Sequence, residues 1–296
     1  MKIGFIGVGN MGKPMCDRLL DAGHQLVVND TRESVLRPLA DRQARIVDTA
    51  RAVADETELV CASLPSLAAY RDVAFGESGV RGGKAARIFV NLGTVGTRFV
   101  QDMEKEFTEA SITTIDCPIS GGPPGAAAGT LSIMASGPKD AFAELAPALE
   151  ALGTVTYVGE KPGMAQSLKL ANNILSATAL AATAEALVMG IKAGLDPEIM
   201  LKAINIGSGR NSATLQKYPE HALTGKYDFG AAVDILLKDV DLALSEGEAM
   251  GVPMQVSQSV RQFMRMIHAV GGGEQDITRS LEWVAKWAGT TVPKTR

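Results

Sequence analysis

Cysteine and histidine are scarce in this chain, and the scarcity narrows what it can be. There are three of each in 296 residues. Cys16, Cys61 and Cys117 are scattered, with no CxxC pair and no metal-ligand spacing. Neither a disulfide framework nor a structural metal is expected, and buried thiols in a reducing compartment are. His24, His221 and His268 form no cluster, so no metal and no histidine base are expected. Positive charge is not in excess either. Twenty-nine Lys and Arg against 33 Asp and Glu leave −4, which gives no electrostatic footprint for nucleic acid. No basic segment precedes an apolar run at the start, where a strand pattern begins at once, so no secretory leader is expected. The rest, 46% hydrophobic and 21% charged, is ordinary for a soluble globular protein and long enough for two domains. A cytoplasmic enzyme or binding protein is expected, without a nucleic-acid or membrane partner.

Proline is absent between Pro162 and Pro197, and that gap holds the most conspicuous stretch. Residues 163–195 are rich in Ala and Leu, open on Gly163 and reach a stop signal at Gly194, which predicts one long helix. It is apolar around most of its circumference, so burial among other elements is expected. Lys169 and Glu185 well inside it argue against a membrane span. Gln166, Lys169, Asn173 and Ser176 follow steps of three, four and three and therefore share one face. A lysine on such a helix is costly unless it has a partner or lines a wet cleft, where partial desolvation suits proton transfer. A solvated stripe on a half-exposed helix is the other reading of the same four residues.

The N-terminal half alternates strand and helix patterns. Lys2–Gly7 is a β-rich run leading into Gly7, Val8, Gly9, Asn10, Met11 and Gly12, with a helical segment behind. GxGxxG between a strand and a helix is the dinucleotide-binding context: a tight turn, close backbone approach to a pyrophosphate, and a helix N-terminus facing it. Gln25–Asn29 is the second strand, and Asp30 follows it 18 residues after Gly12. That is near the spacing of the acid that binds the ribose hydroxyls of NAD. Arg32, two residues on, can instead pair with a 2′-phosphate, so NAD is favoured and NADP stays open. Further strands are expected at Glu58–Ser63, Arg87–Leu92, Thr113–Pro118, Leu131–Ser136 and Thr154–Val158, with a helix at Lys139–Leu152 between the last two. Leu64-Pro65, Thr94 and the loop Ile119–Gly125 then fall at the carboxyl ends of strands, where ligands sit in doubly wound parallel sheets. Thr94 taken alone reads equally as a helix cap. The loop carries several N–H groups suited to an anion such as a carboxylate.

Taken in order, GFIGVGNMGKPM, Leu64-Pro65, DCPISGGPPGAAAGTLSIMASG, GMAQSLKLANN and FGAAVDILLKDVDLAL span nearly the whole chain. This combination resembles the β-hydroxyacid dehydrogenase family, which includes 3-hydroxyisobutyrate dehydrogenases and tartronate semialdehyde reductases. The resemblance implies that Gly7, Gly9, Asn10, Met11 and Gly12 hold a cofactor pyrophosphate, with Leu64-Pro65 beside the adenosine and Thr94 beside the nicotinamide ribose. It implies Ser120, Gly121 and Gly122 as the substrate-carboxylate loop, Lys169 as the catalytic lysine and Asn173 as its substrate-binding neighbour. Lys238, followed by Asp239, matches a lysine near the nicotinamide end. The substrate implied is a small 3-hydroxy acid or its semialdehyde, and the assembly a homodimer or homotetramer. Two departures stand out. Asn91-Leu92-Gly93-Thr94 replaces the family's frequent Asp-x-Ser-Thr, which removes a carboxylate and a hydroxyl. Asn29-Asp30-Thr31 carries Asp where NADP-type members have Arg.

Beyond Pro197 only helix signals remain, at Pro197–Ile206, Phe229–Met250, Met254–Val270 and Ile277–Trp287, with a loop at 207–211 whose Arg210 or Asn211 can reach a substrate or simply be solvated. The expected organisation is a Rossmann domain over 1–162, a linking helix over 163–195 and an all-α substrate and dimerisation domain over 196–296. A dinucleotide-sensing module without catalysis and an imine reductase-like enzyme are the alternatives on the same fold.

Overall fold

The protein is described by a computed structural model covering Met1–Lys294. It divides into two compact units, Met1–Lys169 and Leu170–Arg296, so the division falls inside the long helix.

The first unit is built on nine strands: β1 (Lys2–Ile6), β2 (Gln25–Asn29), β3 (Arg45–Ile46), β4 (Leu59–Ala62), β5 (Ile88–Asn91), β6 (Thr113–Asp116), β7 (Ile119–Ser120), β8 (Leu131–Ser136) and β9 (Gly153–Gly159). Seven helices connect or follow them: α1 (Gly12–Asp21), α2 (Glu33–Ala40), α3 (Ala50–Glu56), α4 (Leu67–Phe75), α5 (Thr97–Thr108), α6 (Gly122–Ala128) and α7 (Lys139–Glu150). The strand order is 3-2-1-4-5-6-8-7, with β9 beside β8. Strands β1 to β6 run parallel, the doubly wound dinucleotide-binding arrangement. Both faces of this sheet are apolar, as parallel sheets require. Successive residues alternate between two cores: Ile3, Phe5, Leu26, Val28, Cys61 and Val90 in one, Ile6, Val27, Val60, Ala62 and Phe89 in the other. All three cysteines are buried free thiols, and burial pushes Cys61 up to about 12.

The far end of the sheet departs from the parallel pattern. Strand β8 is antiparallel to β6 and to β7. The expected loop at Ile119–Gly125 is in fact β7 followed by α6. Pro118 interrupts the run, β7 continues it in the same direction along β8, and the chain doubles back only through α6. Pro123 then sits in the first turn of α6, where its missing N–H costs nothing.

The second unit is helical. It contains most of α8 (Met164–Lys192), then α9 (Pro197–Ile206), a ten-residue π-helical segment at Ala213–Ala222, α10 (Val233–Ala249), α11 (Gln255–Gly271) and α12 (Ser280–Trp287). Leu180, Ala184, Leu187, Tyr218, Val240, Met264, Ile267 and Leu281 form its core. The Tyr218 hydroxyl donates to Leu180 O at 2.7 Å and lies 2.9 Å from Ser280 Oγ. Helix α8 is long and apolar enough to cross a membrane by length and composition. Its polar face, however, is packed in protein: Gln166, Lys169 and Asn173 are 0%, 6% and 9% exposed. The solvated-stripe reading therefore fails for these three.

Candidate active site

The carboxyl edge of the parallel sheet gathers the residues expected at a nucleotide. Gly7 follows β1, Asp30 follows β2, Leu64-Pro65 follow β4, Thr94 follows β5, and Ser120 stands beyond β6. These are neighbouring strands in the order 2-1-4-5-6, so the topology brings distant sequence positions to one edge.

The glycine loop fits a pyrophosphate. Gly7 has φ +89°, and a Cβ on Gly12 would stand 1.9 Å from Gly7 O, so only glycine permits both the turn and its contact with α1. In the first turn of α1, Lys13 N donates to Gly9 O, Met15 N donates to Met11 O, and Pro14 has no N–H, so an anion would be met by the glycine loop and the helix N-terminal end. Asp30 braces this loop. Its Oδ2 accepts from Val8 N at 2.8 Å, and its Oδ1 accepts from Arg32 N at 2.9 Å and Arg32 Nε at 3.2 Å. Burial pushes the Asp30 carboxyl up, but the hydrogen bonds from Arg32 and Val8 outweigh it and hold it below the ordinary carboxylate range. Arg32 is thus folded back onto Asp30 with its side chain 56% exposed. The acid has the inner position and the cation the outer one.

The Asn91–Gly96 loop is set by a buried polar knot. Asn91 Nδ2 donates to Asp116 Oδ1 at 2.7 Å and to Gly93 O at 3.1 Å, and Gly93 N donates to Asn91 Oδ1. Gln166 of α8 closes it from the other side. Its Nε2 donates to Asp116 Oδ1 at 2.7 Å and to Gly93 O at 3.0 Å, while its Oε1 accepts from Val95 N and Gly96 N. Thr94 is therefore held from both flanks. Asn91 is fully buried and faces Asp116, so its side chain lies within the knot. Gly93 is equally constrained, because a Cβ there would stand 2.4 Å from the hydroxyl of buried Tyr70. That hydroxyl donates to Ala62 O at 2.9 Å and accepts from Leu64 N at 3.4 Å, which steadies the start of the Leu64-Pro65 loop.

Ser120 is half-buried in β7, and Gly121 and Gly122 follow at φ +129° and +65°. Two successive positive-φ residues turn the chain into α6 and leave a short concave backbone beside a serine hydroxyl, a fitting seat for a carboxylate. On α8, Lys169 is buried one turn before Asn173. Asn173 Nδ2 donates to Asp239 Oδ2 at 2.6 Å, and Lys238 Nζ pairs with Asp239 Oδ1 at 2.9 Å. A chain Lys238–Asp239–Asn173 thus joins α10 to α8 inside the second unit. Asp239 holds the amide N–H, and the amide oxygen, which accepts from Asn172 Nδ2 at 3.1 Å, keeps a second lone pair for a further donor.

Arg210 is exposed, and Asn211 caps the π-helical segment by accepting from Ala213 N at 2.8 Å, with its amide donating to Thr183 Oγ1. The polar residues that sequence reasoning passed over are Asp116 and Tyr70, which hold loops, and Lys217. The last is buried at 5% exposure, with Nζ 2.8 Å from Ser176 Oγ and from Ser212 Oγ. Ser176 on the lysine's helix face was the available signal for Lys217, but its partner lies 41 residues away in sequence.

Comparison with known proteins agrees with this geometry. Residues 2–159 match the NAD binding domain of 6-phosphogluconate dehydrogenase. Residues 163–284 match the family described as the NAD-binding of NADP-dependent 3-hydroxyisobutyrate dehydrogenase. The chain is 33% identical to 2-(hydroxymethyl)glutarate dehydrogenase of Eubacterium barkeri, over 99% of this chain and 97% of that one. It is 31% identical to 3-hydroxyisobutyrate dehydrogenase of Pseudomonas aeruginosa, over 93% and 94%. A solved 3-hydroxyisobutyrate dehydrogenase from Salmonella typhimurium superposes with a TM-score of 0.84 at 25% identity, covering 96% of this chain and 99% of that one. The glycine loop, the Ser-Gly-Gly turn and the buried lysine one turn before an asparagine thus lie on a chain that belongs, over nearly its full length, to the β-hydroxyacid dehydrogenase family.

Proposed function

We propose that Lys169 is the acid–base residue of a reversible hydride transfer between a nicotinamide cofactor and a small 3-hydroxy acid, of the 3-hydroxyisobutyrate kind, or its semialdehyde. NAD(P)-dependent oxidoreduction at a CH–OH group is the activity of the family. The cofactor, when bound, supplies the hydride acceptor or donor. The protein supplies the rest. The backbone of Gly7–Gly12 holds the pyrophosphate, Asp30 the adenosine ribose, Leu64-Pro65 the adenosine side, and Thr94 and Lys238 the nicotinamide end. Ser120, Gly121 and Gly122 bind the substrate carboxylate and so fix the carbinol carbon beside it. Asn173, oriented by Asp239, accepts or donates at the substrate hydroxyl. Lys169 takes the hydroxyl proton in oxidation and returns it in reduction. Asp30 in the inner position favours NAD over NADP. A cytoplasmic homodimer or homotetramer is the expected working form.

The single observation that carries this reading is a buried lysine one turn before an amide whose N–H is already committed to a carboxylate. An imine reductase-like reaction is disfavoured by Lys169 itself, and a non-catalytic sensor by the oriented Lys238–Asp239–Asn173 chain. The test is NAD(P)-linked turnover on a panel of hydroxy acids with wild type, Lys169→Ala and Lys169→Arg. Lys169→Ala should lose on the order of 10²–10⁴-fold in rate yet bind NADH nearly as well as wild type. Lys169→Arg should not recover turnover, because guanidinium keeps its proton. Near-wild-type turnover by the arginine variant would make the lysine a charged anchor and place the proton acceptor elsewhere.

A further inference from the structure

Lys217 is a buried cation in the second unit that the reaction above does not use. It projects from the π-helical segment Ala213–Ala222, and its ammonium donates to Ser176 Oγ and Ser212 Oγ at 2.8 Å each. The Phe229 ring covers it at 5.7 Å. Among the described residues no carboxylate stands within ion-pair distance of it. Burial lowers its pKa to about 8, so it is still mainly an ammonium at neutral pH. Lysine and two serines could be a merely structural bridge. A leucine or methionine would fill such a place without the desolvation cost of a charge, so the charge needs another reason.

Position supplies one. Ser176 is three residues beyond Asn173 on α8, one turn further along the same face and about 4.5 Å along the axis. The segment carrying Lys217 is π-helical for ten residues, a geometry that is rare and recurs at functional sites. Here it turns Lys217 and Ser212 toward α8. One ammonium flanked by two hydroxyls matches a carboxylate; a phosphate dianion more often meets bidentate arginine.

We propose that Lys217, with Ser176 and Ser212, receives a second, distal carboxylate of the substrate, so that the enzyme prefers hydroxy diacids to hydroxy monoacids. This rests on the hydroxy-acid dehydrogenase reading. It adds a specificity determinant one turn past the asparagine at the reacting end.

Three probes test it: 3-hydroxyisobutyrate, 2-(hydroxymethyl)butanedioate, and the latter with its distal carboxylate converted to an amide. The wild type should favour the diacid over the amide by about 10–100-fold in kcat/KM, the scale of a desolvated charge pair. Lys217→Met should reduce that ratio to near one, mostly through KM, with thermal melting of the variant showing that it is folded. Lys217→Arg should keep part of the ratio. A wild type that handles diacid and amide alike overturns the distal site while leaving the hydroxy-acid reaction standing, and needs no variant. A ratio that survives in Lys217→Met overturns it as well. If none of the three probes turns over with NAD or NADP, the reaction itself fails and the distal site with it.

Discussion

Asp30 does two jobs with one carboxylate. It braces the glycine loop through Val8 N and holds Arg32 out toward solvent. A carboxylate has about four lone-pair sites, and Asp30 accepts from Val8 N and from Arg32 N, Nε and Nη2, so a ribose hydroxyl would take the place of an Arg32 side-chain contact, while a 2′-phosphate would meet negative charge at the inner position. Arg32 could serve that phosphate only by leaving Asp30. The expected outcome is tighter binding of NADH than of NADPH by wild type, read by titration calorimetry. Asp30→Ala should narrow the gap from both sides: NADH loses its acceptor, and Arg32 is released for the phosphate. Because Val8 N also loses its partner, some general loss of nucleotide affinity is expected too, of order 1 kcal/mol. Equal or tighter NADPH binding by wild type would make Arg32 the determinant.

At the scale of elements, the Asn91–Gly96 loop and the start of α8 behave as one piece, because Gln166 spans them and shares Asp116 with Asn91. The Asn91 amide is a neutral donor to the buried Asp116 carboxylate, as is the Gln166 amide. Asn91→Asp would set two carboxyls where a 2.7 Å hydrogen bond now lies. Like charges at that distance force one group to keep its proton, which raises its folded pKa above the unfolded value of about 4. The unfolded state then releases that proton more readily, so the penalty is absent in acid and grows as pH rises from about 4 through the raised folded value. Thermal melting from pH 4 to 8 should show Asn91→Asp close to wild type in acid and less stable by about 1–3 kcal/mol at pH 8. A pH-independent difference would mean the two side chains separate.

This knot also marks where the sequence stops being legible. The strands of the parallel sheet, the glycine loop and α8 follow from local pattern, since short continuous apolar runs, a glycine spacing and a proline-free apolar stretch are properties of neighbours in sequence. Gln25–Asn29, Leu131–Ser136 and Pro197–Ile206 agree residue for residue. Pairings across 25 to 71 residues, such as Asn91 with Asp116 or Val95 with Gln166, are not local. Nor is the reversal of β8, or the π-helical twist that aims Lys217. Strand β3 escaped for another reason: two exposed edge residues carry no burial pattern.

The surface of α8 bears on the whole molecule. Opposite its polar face, Leu168, Leu175 and Met189 are 40%, 71% and 72% exposed. With Ala171, Thr178, Ala182 and Glu185 they continue in steps of three and four along the helix, the spacing of a helix–helix seam. Such a stripe on one helix is a candidate for contact with a second copy of the chain. A second copy of the same helix packed against it in a two-fold arrangement would bury large side chains against small ones. Glu185 is the one charge in the seam, one turn before Met189. Wild type should sediment as a dimer or tetramer of the 31.0 kDa chain. Leu175→Glu with Met189→Glu should shift it toward monomer, since two carboxylates would then have to be desolvated on each copy. Circular dichroism should be unchanged, because both positions are exposed in the chain by itself. A wild type that stays monomeric at micromolar concentration would remove the seam from the assembly, and a double variant that stays dimeric would move the interface to another face.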